Sequence, residues 1–141
     1  IEVQLPFLLA RRPDVRIVPI LLGRLVADDL AMAGEALAKV VLGSGSQALL
    51  AATSDMSHFE REEDARRKDA VAIDSIVRVE PVELLETASV LGLSMCGVEA
   101  VALLLHAAAM LGASQGKLID YRLIPAVEGE GVMSYAGVLF E

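Results

Sequence analysis

The 141-residue sequence has no tryptophan, three phenylalanines, two tyrosines and a single cysteine. A lone cysteine cannot close an intrachain disulfide, which excludes disulfide-stapled scaffolds and makes a reducing cytoplasm the expected location. With so few aromatics, the 55% hydrophobic composition rests on Ala, Val and Leu, a set suited to helices packed on a buried sheet. Positive charge is also scarce. The net charge is −8 and no run of Lys and Arg interrupts it, so neither nucleic acid nor an anionic membrane is an expected partner. Long hydrophobic runs are few. The nearest, Ala88 to Gly112, contains Gly92, Gly97, Glu99 and His106, and a bilayer would bury the Glu99–His106 face in lipid. A break at Gly92 to Gly97 followed by a buried core helix is expected instead.

Familiar cofactor signatures are missing as well. Gly43-Ser44-Gly45-Ser46 lacks the spacing and the lysine of a phosphate-binding loop. There is no paired-cysteine zinc motif and no Gly-x-Ser-x-Gly elbow. The opening Ile1-Glu2-Val3-Gln4 has no initiator Met and no signal peptide. It reads straight into an apolar-periodic segment, as expected of a piece cut from a longer protein.

What is present is a succession of short elements. Helices are expected over Ile1–Arg12, Asp28–Val41, Glu62–Val79, Pro81–Val90 and Val98–Leu111, from apolar spacing, first-turn prolines and glycine stops. In the third, Glu63 with Arg67 and Asp64 with Lys68 stand at helical pair spacing. Val15–Leu22 and Gln47–Thr53 read as short buried strands, the first with Pro19 favouring an edge or a bulge. Leu118–Pro125 and Val132–Phe140 read as two further strands joined by a turn at Glu128-Gly129-Glu130-Gly131. Tyr121 and Tyr135 within them are expected to pack. The pattern predicts an α/β fold, a mixed sheet with helices on both faces. Pairing of copies through the final strands is the route to a homo-oligomer.

Chemistry concentrates in two places. Thr53-Ser54-Asp55-Met56-Ser57-His58-Phe59 follows an expected strand, so Asp55 and His58 should emerge at its carboxyl end and converge. A carboxylate beside an imidazole fixes its tautomer and tunes it for acid/base work. The same residues also suit a loop that caps the next helix, with His58 facing solvent. Cys96, in Ser94-Met95-Cys96-Gly97, stands before a helix N-terminus, where a thiolate is favoured as nucleophile or metal ligand. A small buried hydrophobe is the other reading. His106, mid-helix, is expected to be a core histidine bonded to Glu99 or to backbone, and Glu99 to serve its own first helical turn.

Several of these segments carry a resemblance. Ile1-Glu2-Val3-Gln4-Leu5-Pro6-Phe7-Leu8, Val18-Pro19-Ile20-Leu21-Leu22-Gly23, the Ser54-Asp55-Met56-Ser57-His58 signature, Cys96-Gly97 and Val132-Met133-Ser134-Tyr135-Ala136-Gly137 resemble, in order and spacing, the Memo-like family, also called AmmeMemoRadiSam system protein B. The resemblance implies that residues 1–141 are the C-terminal portion of a single Memo-like α/β domain, similar in fold to class III extradiol dioxygenases. It implies a redox metal ion, non-haem iron or copper, held by Cys96. His58 would be the acid/base with Asp55 in support, and two further histidine ligands are expected upstream. The implied activity is that of a metal-dependent, dioxygenase-like oxidoreductase of unknown substrate, inactive as a fragment. The alternatives are a non-catalytic scaffold binding a peptide or partner in the same crevice, and a metal-assisted hydrolase.

Overall fold

The structure, a computed structural model, describes residues 1–45, 48–127 and 130–141. A 3-10 turn at Glu2–Gln4 runs into helix α1 (Leu5–Arg11), with Pro6 in the first turn where its missing N–H is not needed. Helix α2 (Ala27–Gly43) follows, then strand β1 (His58–Glu60), helices α3 (Glu62–Val77), α4 (Pro81–Leu91) and α5 (Val98–Met110), and strands β2 (Gly116–Pro125) and β3 (Val132–Phe140). Gly92 ends α4 at φ 57°, a left-handed conformation that costs glycine little. That break divides the long apolar stretch as expected. Among the described residues no helix is long and apolar enough to cross a membrane.

The sheet has the order β1-β3-β2 and every pairing is antiparallel. In the β2–β3 hairpin Tyr121 lies opposite Ala136 and Pro125 opposite Val132. Ala126 N–H donates to the Gly131 carbonyl across the base of the connection, whose Glu128-Gly129 lie outside the described residues. Alternation on β3 is plain: Ser134, Ala136, Val138 and Phe140 face inward, while Tyr135, Gly137 and Leu139 face out. The inward face meets α3 and α5 in a core of Met56, Ile73, Ile76, Leu84, Val101 and Leu105. A second cluster joins α2 to α5 through Leu30, Ala102 and Leu103. There the two helices approach closely: a Cβ on Gly34 would stand 2.6 Å from the His106 Cβ and 2.9 Å from the Leu103 carbonyl oxygen.

Five expectations change. Val15–Leu22 and the described part of Gln47–Thr53 form no strand. Gln47 itself lies outside the described residues. Apolar runs become ladder strands only where a neighbouring chain satisfies their N–H and C=O groups, and these two find none among the described residues. Val18 is 84% exposed, Leu21 93% and Leu49 78%, so they are not buried either. The sheet is antiparallel rather than mixed, because the paired strands are hairpin partners plus the short β1. Its helices cover one face and leave Tyr135 and Leu139 exposed on the other. The charge pairing on α3 is also rearranged: Asp64 pairs with Arg61 and Arg67, while Lys68 turns away to Glu60.

His106 is not bonded to Glu99. Its Nε2 is buried without a hydrogen-bond partner, and burial lowers its pKa from the ordinary 6.5. Below that ordinary value the unfolded chain takes up a proton that the folded chain resists, so His106 makes stability fall as pH drops through this window. In His106→Gln that component is removed. Urea midpoints measured against pH should fall less steeply for the variant than for the parent below pH 6.5; parallel curves would contradict the assignment.

Candidate metal centre

Two chain segments meet at the site. Residues Thr53 to His58 cross from the extended stretch into β1, and the loop between α4 and α5 brings Ser94 to Gly97 against them. Ser54 Oγ accepts the Gly97 N–H at 2.8 Å and lies 3.7 Å from Cys96 Sγ. The Asp55 N–H points at the same sulfur, 3.3 Å away. Gly97 is required here for space: a Cβ would meet Thr53 O and Ser54 Cβ, each at 2.9 Å.

His58 is held from the opposite side. Its Nδ1 is 2.7 Å from the Ser94 carbonyl oxygen, which can only accept, so the ring proton sits on Nδ1. Its backbone N–H donates to Ser94 Oγ at 2.9 Å, and Ser94 Oγ in turn donates to Glu60 Oε1 at 2.7 Å. Lys68 Nζ closes this chain, 2.8 Å from Glu60 Oε2 and 3.1 Å from the Gly92 carbonyl. Both members of that ion pair are largely buried, so it resists screening better than the surface pairs of α3. Phe59, between His58 and Glu60, has φ 55°, and the register shifts by one residue there. A non-glycine residue in the left-handed region is backbone strain beside a functional candidate. Gly131 makes room for it, since a Cβ there would lie 2.6 Å from the Glu60 carbonyl oxygen.

With the proton of the neutral ring on Nδ1, the lone pair is left on Nε2, which lies 3.3 Å from Asp55 Oδ2. One ligand atom from each of Asp55, His58 and Cys96 lies within 4.8 Å of the others. Three electron-rich atoms this close call for a cation between them, a proton or a metal. Among the described residues no Lys or Arg forms an ion pair with Asp55 to supply one. A cysteine sulfur beside an imidazole and a carboxylate suits a transition metal rather than calcium or magnesium. The residues present therefore fit a metal.

The structure brings Asp55, His58 and Cys96, the three residues singled out in the sequence, together. The sequence reading is corrected on how they meet. They do not emerge from the end of a ladder strand, and the carbonyl of Ser94, not Asp55, fixes the His58 tautomer. His106 and Glu99 are outside the donor cluster. Sequence reasoning missed the support given by Ser94, Glu60 and Lys68, which have no shared spacing. The one signal available was that Ser94 lies inside the quoted Ser94-Met95-Cys96-Gly97 segment.

The fold and this donor set describe an α/β protein with a candidate transition-metal site. A family model described as Memo-like protein matches residues 1–139, and the chain belongs to that family. Proteins named MEMO1 family protein are similar along its whole length. That from Methanosarcina acetivorans is 35% identical over all of this chain and 54% of its own length. Those from Pyrobaculum aerophilum and Methanocaldococcus jannaschii are 32% and 33% identical, over 99% and 100% of this chain and 50% and 51% of their own. The chain spans about half the length of these curated relatives.

Proposed function

We propose that this chain supplies one side of the site of a metal-dependent, dioxygenase-like oxidoreductase, with Cys96 as the metal ligand, His58 as the acid/base and Asp55 as its partner. The convergence of Sγ, Nε2 and a carboxylate oxygen within 4.8 Å is the observation that carries this reading. Iron or copper is the metal of choice, because thiolate and imidazole are good ligands for both. A likeness of the whole domain to class III extradiol dioxygenases and two histidine ligands from the other half of a relative-length protein belong to the same proposal. The bound metal would supply redox chemistry and polarise a substrate oxygen.

The roles of this chain's residues follow from their contacts. Nδ1 of His58 is committed to the Ser94 carbonyl, so Nε2 is the atom that takes up or delivers a proton. Asp55 stands where it stabilises the imidazolium that results. Cys96 is exposed and its sulfur is open to a ligand.

Metal analysis of a relative-length protein, with Cys96→Ala and His58→Ala beside it, tests the proposal. Redox-active iron or copper should be lost in Cys96→Ala. His58→Ala should retain metal but lose about 10²–10⁴-fold in turnover, the usual contribution of a general acid or base. A metal-free protein that still binds a partner with both residues changed would establish a scaffold instead. Zinc with no oxygen consumption would indicate hydrolysis.

A further inference from the structure

Asp69, on α3, is buried at 2% exposure and makes no ion pair among the described residues. It accepts three hydroxyl groups instead: Ser57 Oγ on Oδ1 at 2.8 Å, and Tyr121 and Ser134 on Oδ2 at 2.6 and 2.5 Å. Burial and this carboxylate, in that order, push the Tyr121 phenol far above its ordinary pKa, which keeps the phenolic proton in place as a donor. Ser134 Oγ also accepts the Ser57 N–H at 2.8 Å. Two backbone bonds, Met56 N–H to Ser134 O and Ser134 N–H to Ser57 O, fasten the same stretch to β3. Ser57 therefore stands between Asp55 and His58 with both its backbone and its hydroxyl fixed.

A buried carboxylate without a cation is costly unless its lone pairs are filled. A helix–sheet contact has no need of one, since apolar residues would join α3 to β2 and β3 more cheaply. The distinguishing feature is its connection to residues 56–57, the link between two members of the donor cluster. We infer that Asp69 is a positioning residue: through Ser57 and Ser134 it fixes the Asp55–His58 loop at the spacing that Cys96 requires. The inference rests on the metal-site reading for the use made of that loop, but the positioning itself is a property of the metal-free chain.

Two variants of the protein separate positioning from plain stability, because each deprives Asp69 of one hydroxyl donor. Ser57→Ala cuts the tie to the loop, and Tyr121→Phe cuts a tie to β2 alone. In the metal-free protein, amide hydrogen exchange at Asp55 and His58 should quicken about five- to tenfold in Ser57→Ala, the effect of one net hydrogen bond. In Tyr121→Phe it should stay near the parent rate after correction for global stability. Equal effects in the two variants, or none in Ser57→Ala, would overturn the inference.

Cobalt(II) titration, read by sulfur-to-metal absorption, adds the second arm. Its affinity should fall about tenfold in Ser57→Ala, as is usual when a partner of a ligand is removed, and hold in Tyr121→Phe. If the parent protein shows no such absorption, the metal reading fails while the exchange rates still decide the positioning role.

Discussion

Gly97→Ala is expected to disable the donor cluster while leaving the body of α5 folded. The added methyl would stand 2.9 Å from both the Thr53 carbonyl oxygen and the Ser54 Cβ, and 3.1 Å from Ser54 Oγ. Two of these three neighbours are held by backbone, so no rotamer change makes room. The backbone angles of Gly97, φ −123° and ψ 36°, lie outside the left-handed region, so crowding and not glycine's freedom is the cause. Relief must come from moving the Cys96–Gly97 turn away from the Ser54–Asp55 segment. That movement stretches the Gly97 N–H to Ser54 Oγ bond and takes Cys96 Sγ off the Asp55 N–H.

Overpacking of this kind costs about 1–3 kcal/mol. The larger effect falls on the site, where losing an orienting partner weakens metal affinity about 10–100-fold. Cobalt(II) titration of the variant beside Cys96→Ala, with urea unfolding of both, reads the two effects separately. A variant as tight as the parent would show that this contact does not govern the cluster.

Leu105→Ala should have the largest effect on stability. Leu105 is fully buried on α5, within the core that also holds Met56, Ile76, Leu84 and Met95. Removing three of its carbons forfeits their transfer free energy and leaves a cavity, together about 2–5 kcal/mol. That is a large share of the roughly 5–15 kcal/mol that separates a typical folded protein from its unfolded chain. The urea midpoint should drop sharply with little change in slope. Val90→Ala is the control: at 81% exposure it should shift the midpoint hardly at all. Because Met56 and Met95 lie within the site segments and share this core, metal affinity should weaken in Leu105→Ala as well.

Local rules were enough where the cause was local. Pro6 and Pro81 at helix starts, Gly92 at a helix end and the alternation along Val132–Phe140 were all readable, and each element lies within a few residues of its expected bounds. Partner-dependent features were not. The three-residue β1 has no periodicity to detect and exists because β3 lies beside it. Val15–Leu22 has the composition of a strand, yet composition cannot supply the neighbour that a ladder needs.

The same division runs through the site. Asp55 and His58 are three residues apart, so their meeting was foreseeable, and Cys96 stood out as the single cysteine before a helix N-terminus. The sequence alone determined the donor types, their membership in two short segments and the family to which they belong. Tertiary structure decided that Ser94 fixes the His58 tautomer and that Asp69 fastens the loop from twelve residues beyond Ser57. It also brought Cys96, forty-one positions from Asp55, to within 3.3 Å of that residue's N–H. The reason is physical: side-chain hydrogen bonds are directional over about 3 Å, and only a packed core sets distances between segments that finely.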